Sequence, residues 1–456
     1  MEETVSRQLV EFLSESEHYI SQADNLQLET ATELYDMFEV AAKVASDNIN
    51  VIDPELRVKI CDGKEAILDR IVDIGIGHST DLSNLSIYTP AVQGYRRWAN
   101  VELMKDKGLA GYTLAREIGA KAVMYYGTRP SDYPNLADIP EMLLLYSNDK
   151  AGNAEAYKKH LLESYSDMDV LILHGMYNET MGYLDAYRKL RPDGKVFCGL
   201  DMNSFWMRNI DWGSSSVREF SDQCDVIATS CRALRDALNR NPAVSFPCYW
   251  LPNGLFSLPG RKTLADPQRK ENIILTVGRV GSAQKNNAEL LVAFARVSDR
   301  LAGWKLHLVG SIEPEFKPLI EEFFKQRPDL KERVVFRGAI ADKDALFKEY
   351  EKAKIFALTS KSEGGTPNVY AEALFHGCMF VTSDIDAADE ITNFGDLGIK
   401  YKLGDIDVLS AALVELCKNA DKRAFQNHIP KALAYANKYY DWNRNAKKLA
   451  YMLFAH

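Results

Sequence analysis

The chain runs to 456 residues, of which 46% are apolar, 26% charged and 10% aromatic; this is enough buried surface for a folded protein and too much for a disordered polyelectrolyte. At roughly 100–200 residues per domain, the expected number of domains is about two to four. Its 55 basic against 64 acidic residues leave a formal net charge of -9, which argues against nucleic acid as the main partner, because a phosphate backbone selects a basic footprint.

The N-terminus, Met1-Glu2-Glu3-Thr4, is acidic and lacks the basic-then-apolar order of a signal peptide. Residues 1–80 read as a helical extension. Val5, Leu9, Phe12 and Leu13 share one helical face, Ala31, Leu34, Phe38, Ala41, Ala42 and Ala45 repeat the spacing, and a third segment follows Pro54. Over 81–255 the pattern changes to short apolar runs alternating with amphipathic stretches, at Leu85–Tyr88, Ala122–Tyr126, Val170–Leu173, Val196–Leu200, Val226–Ala228 and Tyr249–Leu251. That alternation predicts a parallel sheet wrapped by helices. Residues 256–270 hold two prolines, a glycine and four basic residues without periodicity, and read as a linker.

A second series of the same kind fills 271–438, with strands expected at Ile273–Val277, Leu306–Val309, Val334–Phe336, Ile355–Leu358 and Met379–Thr382. The fold class is therefore α/β, two doubly wound Rossmann-like domains behind a helical extension, with ligands expected beyond the carboxyl ends of the strands. Residues 439–456 carry Trp442, Ala446, Leu449, Ala450 and Leu453 on one face, an amphipathic helix expected to return to the first domain. No apolar run approaches the ~18 residues of a membrane span. Cys61, Cys198, Cys224, Cys231, Cys248, Cys378 and Cys417 are scattered without a C-x-x-C pair, so they read as reduced thiols of a cytoplasmic protein rather than a disulfide frame or zinc site.

Chemistry concentrates in two strand-to-helix connections of the second series. Gly278-Arg279-Val280-Gly281-Ser282-Ala283-Gln284-Lys285 sets two glycines, an arginine and a lysine in one turn. Backbone N–H groups, an arginine fork and a mobile lysine charge suit an anion there; a solvated basic loop is the other reading. Ser362-Glu363-Gly364-Gly365-Thr366-Pro367-Asn368-Val369 follows a later strand, and its glycines let a ligand approach the backbone. Thr366 or Asn368 is expected to cap the helix that carries Glu372. Glu363 is readable as dipole compensation and Glu372 as part of a solvated face, or both as ligand contacts. Asp384 and Asp386 form a D-x-D pair, discounted as a metal site because they follow a strand of the second series. Tyr95, Arg96, Arg97, Trp98, Lys105 and Lys107 mix basic and aromatic groups as interfacial helices do, or form a solvated helix.

Taken together, the turn Gly278–Lys285, Val309-Gly310, Phe336–Gly338, the run Ser362–Leu374 and His376–Cys378 resemble, in order, the retaining glycosyltransferases of family 4, the glycosyl transferases group 1. In the first domain Asp225–Ser230 and Leu251–Gly254 resemble the last strands before that family's interdomain crossing. The resemblance covers residue 84 onward, strongest over 272–391, and implies the two-Rossmann GT-B fold.

It also implies a metal-independent hexosyl transfer, without a cofactor, from a nucleotide diphosphate sugar to a hydroxyl acceptor (a glycan, or a lipid-linked or protein-linked sugar), with a UDP-sugar expected over a GDP-sugar. Arg279 and Lys285 would hold the diphosphate and Glu372 the ribose. Glu363 and the backbone of Gly364, Gly365, Thr366, Pro367, Asn368 and Val369 would contact the sugar, and Gly338, Ala339 and Ile340 the base. Gly94, in the loop after the first strand, would lie near the diphosphate, and Gly278 is likewise a donor-binding candidate. Two departures accompany the match: eight residues rather than seven separate Glu363 from Glu372, for which a small bulge is expected, and Asp201 stands where relatives have histidine, so His174 or Asp201 is the acceptor-side candidate. The helical extension lies outside the resemblance, and self-association as a homo-oligomer or holding the acceptor's carrier is the expectation for it; for the protein as a whole, peripheral contact at the inner membrane face is expected. A non-catalytic GT-B subunit binding a partner transferase or a glycan is the alternative.

Overall fold

The computed structural model describes residues 2–48, 51–75, 81–91, 103–126, 136–146, 154–256, 265–420 and 423–454. The chain divides into two units, Met1–Pro252 with Trp442–His456, and Asn253–Asp441.

The first unit is built on a seven-stranded sheet. Its strands are β1 Ser86–Pro90, β2 Lys121–Tyr126, β3 Leu143–Tyr146, β4 Val170–His174, β5 Lys195–Leu200, β6 Val226–Thr229 and β7 Tyr249–Trp250. All neighbours are parallel, in the order β3-β2-β1-β4-β5-β6-β7. The strand β3 is unpredicted although Leu143–Tyr146 is an apolar run; it is an edge strand, exposed or half-buried along its length.

The N-terminal helices belong to this unit rather than forming a separate body. Helix Pro54–Ile74 starts where Asp53 caps it, its carboxylate accepting the Glu55 N–H at 2.9 Å with Pro54 in the first turn. Leu34, Tyr35, Phe38, Ala41, Ala42 and Ala45 of helix Leu28–Asp47 are all buried. Tyr35 meets Tyr451 of the C-terminal helix edge to face, with ring centroids 4.9 Å apart. That apolar stripe is therefore covered within the chain, and it does not by itself require a second copy. The helix Trp442–Phe454 buries Trp442, Ala446, Leu449, Ala450 and Leu453, and ties Lys448 to Asp69 at 2.5 Å.

The second unit holds a six-stranded parallel sheet of β8 Glu271–Val277, β9 Lys305–Val309, β10 Val334–Gly338, β11 Ala353–Leu358, β12 Met379–Ser383 and β13 Gly398–Tyr401. The order is β10-β9-β8-β11-β12-β13. The unpredicted β13 is again an edge strand, four residues long with a lysine in it. The apolar face of helix Asn287–Val297, through Leu290, Leu291 and Phe294, packs with Ile274, Leu306, Leu308 and Ile355 into one core. From β8 the chain winds one way to β10, then returns to β11 on the other side of β8 and winds away. The neighbours β8 and β11 are thus the topological switch point, where connections leave in opposite directions and a crevice opens at the carboxyl ends.

Candidate functional site

Both chemistry-bearing connections leave from this switch point: the Gly278–Lys285 turn follows β8, and the Thr359–Pro367 loop follows β11. The glycines have a steric reason. Gly310, at the end of β9, has φ 143°, and a Cβ there would lie 1.6 Å from the Gly278 carbonyl oxygen, so the two strand ends close up only without a side chain. Gly365, at φ 77°, turns the second loop in the left-handed region.

The two connections are joined side chain to side chain. Lys285 Nζ lies 2.5 Å from Glu363 Oε1, and both groups are largely buried. Arg279 Nη2 donates to Gln284 Oε1 at 3.1 Å. Gln284 Nε2 in turn donates to the Ser362 carbonyl at 3.0 Å and to Glu363 Oε2 at 3.3 Å. The Thr359 hydroxyl donates to the carbonyls of Lys285 and Asn286 at 3.1 and 3.2 Å. With an extra glycine behind it, Glu363 is turned onto Lys285 and Gln284. Arg279, Lys285 and Glu363 are thereby brought together, and a freely solvated basic loop is excluded.

Glu372 sits in helix Asn368–Phe375 and is buried, not on a solvated face. Its carboxylate accepts from Lys343 Nζ at 2.6 Å and from the Tyr350 hydroxyl at 2.7 Å. Burial, with the Glu372 charge beside it, pushes the Tyr350 hydroxyl well above its ordinary range, so it stays a donor. Beneath them His376 Nδ1 donates to the Glu372 carbonyl, 2.6 Å away, and the ring stacks on Tyr350. Burial lowers its pKa to about 4, so the ring is neutral and Nδ1 is the donor.

The capping expectation is corrected. Pro367 occupies the N-cap without a side-chain cap bond, and the Thr366 hydroxyl instead donates to buried Glu390 at 2.5 Å. Its position therefore serves the loop rather than the helix end. Pro367, Asn368 and Val369 are half-buried at the helix start, and Gly364 is exposed. Gly338, at φ 72°, ends β10, with Ala339 exposed and Ile340 half-buried after it, leading to the helix Lys343–Lys352 that carries Lys343 and Tyr350. Asp384 accepts the Leu403 N–H at 2.9 Å, and among the described residues no group of three or more His, Cys, Asp or Glu could hold a metal.

In the first unit, His174 ends β4 and Asp201 follows β5, and the structure pairs them, Nε2 to Oδ2, at 3.4 Å. The Tyr177 hydroxyl donates to the Asp201 carbonyl at 3.4 Å. Gly94 and the stretch Tyr95–Trp98 lie outside the described residues. Sequence reading missed Gln284, Lys343, Tyr350 and Glu390. Gln284 was at least visible inside the motif turn; the others stand in ordinary helical positions that only the fold brings to the site.

The family model of the glycosyl transferases group 1 matches residues 271–419, which hold all of these second-unit contacts. The chain is 27% identical over 209 residues to a phosphatidyl-myo-inositol mannosyltransferase of Mycobacterium leprae, covering 44% of this chain and 51% of the relative. A protein of the same name from Mycolicibacterium smegmatis is 25% identical over 195 residues, 42% of this chain and 48% of the relative. The chain thus aligns with about half the length of these relatives. Among solved structures, Anabaena HepE in complex with UDP has a TM-score of 0.59 at 15% identity, covering 82% of this chain and 100% of that one. A sucrose-phosphate synthase from Thermosynechococcus elongatus has a TM-score of 0.60 at 16% identity, covering 80% and 97%. The architecture is the two-domain, Rossmann-like GT-B fold, and residues 271–419 are similar to the glycosyl transferases group 1.

Proposed function

We propose that this chain is a glycosyl transferase of group 1 that moves a hexosyl group from a nucleoside-diphosphate sugar to a hydroxyl acceptor, with retention at the anomeric carbon. The observation that carries the reading is the joining of the Arg279–Lys285 turn to the glycine-rich loop after β11 at the switch point of a parallel sheet. As the glycosidic bond breaks, negative charge collects on the leaving diphosphate. Arg279, Lys285 and backbone N–H donors held in place beforehand stabilise that charge without reorganising. The leaving phosphate oxygen takes the proton of an acceptor that attacks from the same face, so no side-chain nucleophile or metal is needed.

In this reading the Glu372 carboxylate, steadied by Lys343 and Tyr350, accepts from the ribose hydroxyls. The backbone from Gly364 to Val369 meets the sugar, Ala339 and Ile340 meet the base, and the His174–Asp201 pair serves the acceptor. The UDP of the Anabaena structure supports a UDP-sugar as donor. The name of the mycobacterial relatives points to an inositol lipid as their acceptor, which supports a membrane-borne acceptor met at the surface, since among the described residues no helix is long and apolar enough to cross a membrane.

The test is calorimetry with UDP and GDP, followed by a donor-consumption assay with a panel of UDP- and GDP-sugars in EDTA. Binding of one diphosphate and turnover that survives EDTA are expected. Absence of nucleotide binding would overturn the enzyme reading, and activity restored only by magnesium or manganese would overturn the metal-free mechanism.

A further inference from the structure

Two cations in one short turn repel each other, and a clamp that must meet a diphosphate has to hold both in place before the ligand arrives. We infer that Gln284 is the positioning residue that does this, fixing Arg279 relative to Lys285 through Glu363. The inference rests on the proposed diphosphate role of the turn.

The bonding is directional. Arg279 can only donate and the Ser362 carbonyl can only accept, so a bridge between them needs one acceptor and one donor on the same short side chain. An amide supplies both: Oε1 takes the Arg279 N–H at 3.1 Å, and Nε2 serves Ser362 O at 3.0 Å and Glu363 Oε2 at 3.3 Å. The other oxygen of Glu363 holds Lys285 at 2.5 Å. One carboxylate and one amide therefore connect both cations. The residue itself is anchored, because its carbonyl accepts the Lys361 N–H at 2.8 Å, tying the β8 turn to the β11 loop by main chain as well. A glutamate at this position would set one carboxylate against another and lose the donor to Ser362; a lysine would set a third cation against Arg279. In this arrangement Glu363 acts mainly on Lys285 and Gln284, which accounts for the extra glycine that shifts it from the usual spacing.

The experiment is calorimetry on the full chain with UDP and UMP, which differ by the terminal phosphate where leaving-group charge gathers; GDP and GMP are used if wild type prefers guanine. Gln284→Ala is expected to weaken diphosphate binding about tenfold and leave monophosphate binding within about twofold, as loss of a charge-assisted network contact should. Gln284→Glu keeps the volume and is expected to lose at least as much. Equal loss for both nucleotides would show a merely structural role, and unchanged diphosphate affinity in both variants would show no role; either overturns the inference while leaving the proposed function standing. If Gln284→Ala does not fold, Gln284→Glu alone decides by the same comparison. Failure of wild type to bind any nucleoside diphosphate would instead sink the proposed function, and this inference with it.

Discussion

Two charge clusters in this protein use similar residues to different ends. At the seam of the first unit, Arg235 is 2% exposed and reaches Glu65 and Asp62 of helix Pro54–Ile74, each at 2.5 Å. The remaining oxygen of Glu65 accepts the Trp250 N–H at 2.8 Å, and burial holds its carboxyl above the usual range. Nearby Lys64 is buried against the Tyr249 hydroxyl at 2.9 Å and paired with Glu39. This cluster bolts helices to the edge strand β7 of a sheet. At the switch point of the second unit, Lys285 and Glu363 are also close and largely buried, but they stand at the carboxyl ends of central strands, among glycines and backbone donors. Buried charge alone does not mark a site; its place on the sheet does.

The strongest way to break this comparison is through the seam. Removing one partner of a buried ion pair leaves the other uncompensated and costs about 3–5 kcal/mol. Arg235→Ala should therefore lower stability in urea by that amount, whereas Arg235→Met combined with Glu65→Gln should recover most of it. A wild-type midpoint for Arg235→Ala would show that the seam does not hold the helices.

A second test lies beneath Glu372. The folded His376 ring has a pKa near 4, below its ordinary value of 6.5, so between those values the unfolded chain binds the proton first. Its contribution to stability is complete above pH 6.5 and is lost as pH falls towards 4, on the order of 3 kcal/mol in all. His376→Phe should flatten that part of the stability profile, and an unchanged slope would remove His376 as its source.

At the clamp the effect should fall mainly on turnover. Arg279→Ala is expected to cut kcat about a hundredfold, as loss of a donor to developing charge does, with melting close to wild type; Lys285→Ala should cut kcat as much but also lower stability, because it leaves the buried Glu363 carboxylate unpaired. Wild-type rates in both would sever the clamp from the chemistry. A large loss of stability in Arg279→Ala would make the clamp resemble the seam.

Much of the fold was legible because parallel strands buried on both faces read as apolar runs, and that signal found the central strands of both sheets. The four-residue edge strand β13 lacks it, and β3 carries an apolar run, Leu143–Tyr146, that was not read as a strand. In the site, Gly278, Arg279, Lys285, Glu363 and Glu372 stood out because glycines with basic groups, and carboxylates after a strand, are local patterns. Lys343 and Tyr350 did not, since their meeting with Glu372 spans 29 and 22 residues of sequence.

The amino-acid sequence by itself determined the alternation of strands and helices and the glycine-rich turns, because apolar periodicity and backbone sterics act between residues close along the chain. Tertiary structure alone decided that Glu363 faces Lys285, that His174 meets Asp201, and that the N-terminal helices cover their own apolar stripe within the first unit. Those outcomes depend on which strands become neighbours, and strand order is fixed by long-range packing rather than by any local pattern.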